Sequence, residues 1–233
     1  MNRPYVFINV AMTADGKIDT FQRKGSAISS KRDKERVDKL RAEADAVMVG
    51  GRTLLDEDPK LTVKAEALRE ERVKRGLTPN PVKVGVVTKA EFKTHSEFLH
   101  EGGGRIVIFT THHTSKERLE ALRAPEYKDR VEVFVHAGER VDLREMMHTL
   151  KKLGINRLMV EGGATLNFEL IRLGLVDEIS AYVAPMIFGG EKAPTLASGS
   201  GLERGEAVPL KLMNVEHWDD GGVLLHYKVE RNL

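Results

Sequence analysis

The stretch Leu158-Met159-Val160-Glu161-Gly162-Gly163-Ala164-Thr165-Leu166-Asn167 constrains this chain more than any other. A short apolar run ends in a carboxylate and two glycines follow. Leu166, Leu170, Ile171 and Leu173 then recur at helical spacing up to a stop at Gly174. A strand that turns through glycine into a helix leaves backbone N–H groups unpaired at the helix start, where the helix dipole is positive. Two readings of the segment stand side by side. One is a cradle for a phosphate group, with Glu161 at the C-terminal edge of the strand; the other is a plain tight turn bearing a surface Glu.

The same alternation runs through the whole chain. Tyr5 to Ala11, Ala46 to Val49, Val82 to Val87, Arg105 to Phe109 and Val131 to Val135 read as buried strands, rich in β-branched and aromatic residues. Between them lie helical patterns. One starts at Ser29-Ser30, with Asp33 as capping-box partner and Val37, Leu40 and Ala44 as its apolar face. A polar helix runs from Ser115 to Arg123. Another opens at Asp142 and Glu145, lines up Leu143, Met146, Met147, Leu150 and Leu153, and closes at Gly154. Thr53 to Leu55 makes a short helical turn that Pro59 breaks. The charged stretch Ala65 to Arg75 reads as an exposed helix or a mobile excursion, and Gly102 to Gly104 as a flexible link. Glu178 to Val183 and Val223 to Val229 are the last strands. With no repeat and no linker, this predicts one α/β domain over residues 1–233, its mainly parallel sheet flanked by helices and extended by antiparallel strands at the C-terminal end.

Composition excludes several chemistries. The sequence has no cysteine, which removes disulfides, thiolate zinc sites, iron–sulfur clusters and cysteine nucleophiles. A formal charge of +2 argues against a nucleic-acid partner held by bulk electrostatics. No signal-peptide pattern and no apolar run of bilayer length are present, so no membrane partner and a cytoplasmic location are expected. The loops Thr13 to Lys17, Gly50 to Pro59, Thr88-Lys89 and Glu161 to Thr165 all follow strands. In a parallel sheet they converge on one edge and suggest a dinucleotide-sized cleft, although the G-x-G-x-x-G fingerprint is absent. Asp56, Glu57 and Asp58 are adjacent and so point different ways, which favours solvated or helix-capping roles over a cation site. His112-His113 lacks a spaced third ligand and reads as surface, so no metal site is expected.

Three motifs resemble the riboflavin-pathway pyrimidine reductases. Ala11-Met12-Thr13-Ala14-Asp15-Gly16-Lys17 is similar to that family's opening motif. Gly50 through Val63, with Thr53, Asp58-Pro59 and Leu61-Thr62-Val63, is similar to its second. Glu161 to Thr165, with Leu175 to Glu178 and Pro185 to Gly190, is similar to its third. The resemblance implies a dihydrofolate-reductase-like fold, NADPH as cofactor, a homodimer, and reduction of the ribosyl group of a phosphorylated ribosylaminopyrimidine to a ribityl chain.

By position it assigns cofactor contacts to Ala11, Thr53, Glu57, Thr88, Lys89, Gly162, Gly163, Ala164, Thr165 and Leu166. Asn9, Ser26, Ser29, Arg41, Leu61, Lys64 and Glu161 would face the substrate, with Glu161 as the acidic group that assists ring opening. The chain departs from the fused bacterial enzymes in having Asn9 for Lys, Glu57 for Asp and Lys64 for Arg. Asn9 and the Ser26 to Ser30 segment look like the stand-alone archaeal branch. The zinc deaminase fused to many bacterial reductases needs cysteine ligands. A cysteine-free chain that opens on the reductase's first strand is therefore expected to carry no deaminase and to prefer the 2,5-diamino substrate, whose exocyclic 2-amino group an acceptor should meet. Two rivals use the same features: a pterin or folate reductase on this fold, and a non-catalytic nucleotide-binding module.

Overall fold

The computed structural model describes residues 2–25, 27–93, 95–127 and 129–230. In chain order the elements are β1 (Tyr5–Thr13), α1 (Lys31–Glu43), β2 (Ala46–Gly50), a π-helical turn (Thr53–Glu57), α2 (Glu66–Lys74), β3 (Val82–Val86), α3 (Glu97–His100), β4 (Ile106–Thr111), α4 (Lys116–Ala121), β5 (Val131–His136), α5 (Leu143–Lys152), β6 (Arg157–Val160), α6 (Ala164–Arg172), β7 (Glu178–Ala184), a 3₁₀ turn (Arg204–Glu206), β8 (Leu210–His217) and β9 (Val223–Val229). They fall into two compact units, residues 2–4 and 38–159, and residues 5–37 and 160–230. Among the described residues no helix is long and apolar enough to cross a membrane.

In the first unit the strands lie in the order β5-β4-β3-β2-β6. Strands β2 to β5 are parallel, with Gly50 beside Val86, Val86 beside Phe109 and Phe109 beside Phe134, so their C-terminal ends share one edge. The apolar strand runs are buried, as parallel strands covered on both faces require. Gly85 fits the π-helical turn against β3: a Cβ there would sit 2.7 Å from Cδ2 of the fully buried Leu54.

Two buried cations organise this unit. Lys83 donates to the carbonyls of Phe98 and Glu101 at 2.8 and 2.6 Å. Burial, reinforced by Arg130, pulls its pKa down to about 8. Arg72 is 1% exposed and donates to the carbonyls of Thr78, Ala42 and Ala44 at 2.9, 2.8 and 2.8 Å. Those last two carbonyls lie at the end of α1, where helical acceptors run out of donors. The Ala65 to Arg75 segment is thus a helix, largely exposed as expected, but it inserts one arginine into the core.

In the second unit β1 runs parallel to β7, β9 antiparallel to β7, and β8 antiparallel to β9. Parallel pairs and antiparallel C-terminal strands therefore occur as the sequence predicts. Ile28, Tyr182, Ala184, Trp218 and Leu224 form an apolar cluster, and Ala11, Met186 and Phe188 pack against it. Strand β8 has no counterpart in the sequence reading. Its register shifts between Leu212 and Asn214, which breaks the alternation that marks a strand.

Helix α1 also differs from expectation. Ser30 Oγ accepts from the Asp33 N–H at 3.2 Å, as a cap should. The Asp33 carboxylate, however, turns to Arg36 at 2.8 Å. The most buried positions of the helix are Asp33, Asp38 and Ala42, while Val37 and Leu40 are half-buried.

Candidate active site

Within the second unit, β6 ends at Val160 and Glu161 follows, half-buried. Gly162 and Gly163 have φ of 116° and 79°. A Cβ on Gly162 would meet nothing within 4 Å, so the backbone conformation, not crowding, demands glycine there. Gly163 is the N-cap of α6, and the first helical bond runs from the Asn167 N–H to its carbonyl at 2.9 Å. The N–H groups of Ala164, Thr165 and Leu166 precede that bond and have no acceptor inside the helix.

On one face of β1, Asn9 lies opposite Ser180 of β7. Arg36 joins them: Nη2 donates to Asn9 Oδ1 at 2.6 Å and Nη1 to Ser180 Oγ at 2.9 Å. Its Nε and Nη2 both donate to Asp33 Oδ1, at 3.0 and 2.8 Å. Ala11 is half-buried against the apolar cluster, and Ser29 is half-buried beside the start of α1. Ser26 lies outside the described residues. Asp15 ties the first motif to the third, accepting from Thr13 and from the N–H groups of Phe188 and Gly189; these bonds, Thr13's first, hold its carboxyl below the usual range.

In the first unit the second motif is an irregular loop held by buried side chains. Asp58 and Leu61 are in the left-handed region, each at φ 50°. Asp58 is the capping residue among the three adjacent acids, accepting from Ser96 Oγ at 2.6 Å and from the N–H groups of Glu97 and Phe98 at 2.8 and 3.0 Å. Burial alone would raise its pKa; those bonds and the charge of Lys93 outweigh it and hold the carboxyl low. Arg41 Nη1 donates to the Thr62 carbonyl at 3.0 Å, and Asn80 Oδ1 accepts from the Val63 N–H at 2.9 Å. Asp38 accepts from the N–H groups of Lys64 and Ala65 at 2.6 and 2.8 Å, so it caps α2 from a distance. Leu61 is 1% exposed, backbone and side chain together, so it is a core residue of this loop. The Lys64 side chain is exposed.

Thr88 and Lys89 follow β3 and are exposed. The Thr88 carbonyl accepts from the hydroxyls of Thr110 and Thr111 at 3.2 and 2.9 Å, which ties the end of β3 to β4. Thr53 is half-buried and Glu57 exposed at the two ends of the π-helical turn. The third partner that His112-His113 lacks in sequence is supplied by Glu139, which accepts from His113 Nε2 at 2.8 Å; one ligand atom from each of the three lies within 4.8 Å of the others. All three are at the surface, and the His113–Glu139 pair already satisfies itself.

The family model of the RibD C-terminal domain matches residues 4–224. The chain belongs to that family. The 2,5-diamino-6-ribosylamino-4(3H)-pyrimidinone 5′-phosphate reductase of Methanothermobacter thermautotrophicus is 43% identical over 211 residues, covering 90% of this chain and 91% of that protein. The enzyme of the same name from Archaeoglobus fulgidus is 43% identical over 197 residues, covering 84% and 87%. A crystal structure of a pyrimidine reductase-like protein from Corynebacterium diphtheriae superposes with a TM-score of 0.81 at 21% identity, over 99% of this chain and 94% of that one, and so shares its fold.

As a RibD C-terminal domain, the chain carries the expected site residues in two sets. Asn9, Ala11, Ser29 and Glu161 to Leu166 belong to the second unit, and Arg41, Thr53, Glu57, Leu61, Lys64, Thr88 and Lys89 to the first. Sequence reasoning did not single out Arg36, Asp38 or Asn80. For Arg36 a signal existed: Asp33, Arg36, Val37 and Leu40 recur at the spacing of one helix face, so two charges share the stripe assigned to burial.

Proposed function

We propose that this protein reduces 2,5-diamino-6-ribosylamino-4(3H)-pyrimidinone 5′-phosphate to its ribitylamino product with NADPH, in riboflavin biosynthesis and as one catalytic domain. The observation that carries the reading is 43% identity across nine-tenths of the chain to a reductase of that name. The residues suit a dinucleotide. Three helix-start N–H groups lie behind two glycines, a fitting arrangement for a phosphate oxygen. Ala11, Thr53, Glu57, Thr88, Lys89 and Gly162 to Leu166 are the proposed cofactor contacts, with Lys89 assigned to the 2′-phosphate. Bound NADPH supplies the hydride that reduces C1′.

The chain's own residues then have two tasks. Glu161 gives a proton to the ribose ring oxygen as the C1′–O bond breaks and the C1′=N bond forms. Asn9, Ser29, Arg41 and Lys64 hold the pyrimidine and its phosphate in register, with Leu61 and Ser26 proposed as further contacts. Register is most of the catalysis in such a transfer.

Steady-state kinetics test the reading directly. We expect NADPH to exceed NADH in kcat/KM, and the 2,5-diamino compound to exceed its deaminated counterpart. Discrimination of about tenfold or more is expected from one lost buried hydrogen bond. Equal efficiencies with the two nucleotides would remove the 2′-phosphate contact, preference for the deaminated compound would reverse the substrate order, and turnover of dihydropterin instead would replace the reading with a folate-type reductase.

We also propose a homodimer. The apolar segment 184–188 is an incomplete basis for it, since Met186 and Phe188 pack within the second unit and Ile187 is the residue left 75% exposed. Strand β8 is a better one. It exposes Leu210, Leu212, Met213 and Val215, an apolar edge that a second copy would cover. Light scattering at micromolar concentration should give twice the 26.0 kDa chain mass, and a monomer there would end the proposal.

A further inference from the structure

We propose that Arg36 is a positioning residue that locks the Asn9 amide with Nδ2 turned outward. Asn9 then serves the site as a hydrogen-bond donor only and takes an oxygen acceptor of the substrate. The inference rests on the functional reading above, in which Asn9 meets the substrate.

A guanidinium has five N–H donors and no acceptor, so the Asn9 atom 2.6 Å from Arg36 Nη2 must be Oδ1. A flipped amide would set donor against donor at that distance. Nor can Arg36 swing to accommodate a flip. Two of its nitrogens are fixed on Asp33 Oδ1 and a third on Ser180 Oγ, and Asp33 and Ser180 are 0% and 4% exposed. Because Asn9 and Ser180 are register partners on neighbouring strands, the fork is held by the sheet itself.

The other end of the amide is open. Asn9 is 7% exposed and its Nδ2 has no acceptor among the described residues, which leaves that NH₂ group to pair with water or a ligand. An NH₂ group presented this way complements a carbonyl or phosphoryl oxygen and repels an amino group. The acceptor expected for the exocyclic 2-amino group must therefore come from another residue.

Asn9→Asp tests this while keeping the side-chain shape and the bond to Arg36. It turns the outward atom from donor to acceptor. We expect KM for the pyrimidine to rise about 30-fold or more, with KM for NADPH within about twofold of wild type. Arg36→Lys keeps the charge but loses the fork, and should raise the same KM by a smaller factor, about fivefold. A purely structural role would lower the folded fraction or shift both KM values together, and would not produce this split. The dephosphorylated substrate separates the two oxygen sources: the Asn9→Asp penalty persists on it if a ring carbonyl is the partner and vanishes if the phosphate is. An active wild type with an unchanged pyrimidine KM in Asn9→Asp would overturn the inference alone. If that variant does not fold, an unchanged KM in Arg36→Lys does the same. A wild type inert toward the pyrimidine would overturn the functional reading, and this inference with it.

Discussion

Arg72→Ala should melt about 10 °C below wild type, the largest stability loss expected from one side chain in this protein. Truncation strands the carbonyls of Thr78 and Ala44 and leaves that of Ala42 to Arg75 alone, in a region where Arg72 itself is 1% exposed. Each buried acceptor left without a donor costs about 1–3 kcal/mol, and partial entry of water brings the sum to about 3–5 kcal/mol. For a chain of this length each kcal/mol moves the midpoint by about 2–4 °C. Arg72→Lys should recover less than half, since one ammonium cannot span the Thr78 carbonyl and the two at the end of α1. Arg75 supplies the contrast: it donates to the Ala42 carbonyl at 2.7 Å from an exposed position, so Arg75→Ala should cost about 1 kcal/mol or less. Thermal melts of the three variants decide the matter. An Arg72→Ala midpoint within about 2 °C of wild type would mean that water replaces the guanidinium without loss.

Glu161→Gln should lower kcat by about 10²–10³-fold while leaving both KM values within about threefold. The carboxamide keeps the shape and most of the hydrogen bonding of the carboxyl group, but it has no acidic proton to give to the ring oxygen. Glu161→Asp keeps the acid and shortens its reach, so it should fall between the two. A different pattern would identify a different role. If Glu161 only binds a substrate hydroxyl, KM rises and kcat holds. A kcat within threefold of wild type in Glu161→Gln would exclude it as the proton donor. A melt of each variant is needed alongside, because Glu161 has partners within the folded protein.

The strands were legible where their residues are apolar throughout. Ala46 to Val49 and Ile106 to Phe109 lie in parallel, fully buried positions, and such strands announce themselves without periodicity. Helix α5 was legible through its cap, since Asp142 does accept from the Arg144 and Glu145 N–H groups at 2.9 and 3.1 Å. What stayed hidden depends on pairs far apart in sequence. Arg36 meets Asn9 across 27 residues and Ser180 across 144, and no local pattern encodes either contact. Arg72 was hidden differently. In a run as charged as Glu66 to Lys74, nothing distinguishes the one cation that turns inward. The site motifs were found by resemblance, whereas the side chains that hold them, Asp38 and Asn80 among them, came only from the folded arrangement.

The loop from Asp58 to Ala65 has no regular structure between its left-handed residues and α2, yet three of its N–H groups end on buried carboxylate or amide oxygens of Asp38 and Asn80. Irregular backbone ordinarily samples many shapes and must surrender that freedom when a ligand arrives, a loss that weakens binding. Here folding has already imposed the loss. A molecule landing on Thr62 or Lys64 meets a backbone already fixed in place, and binding there costs little further backbone ordering.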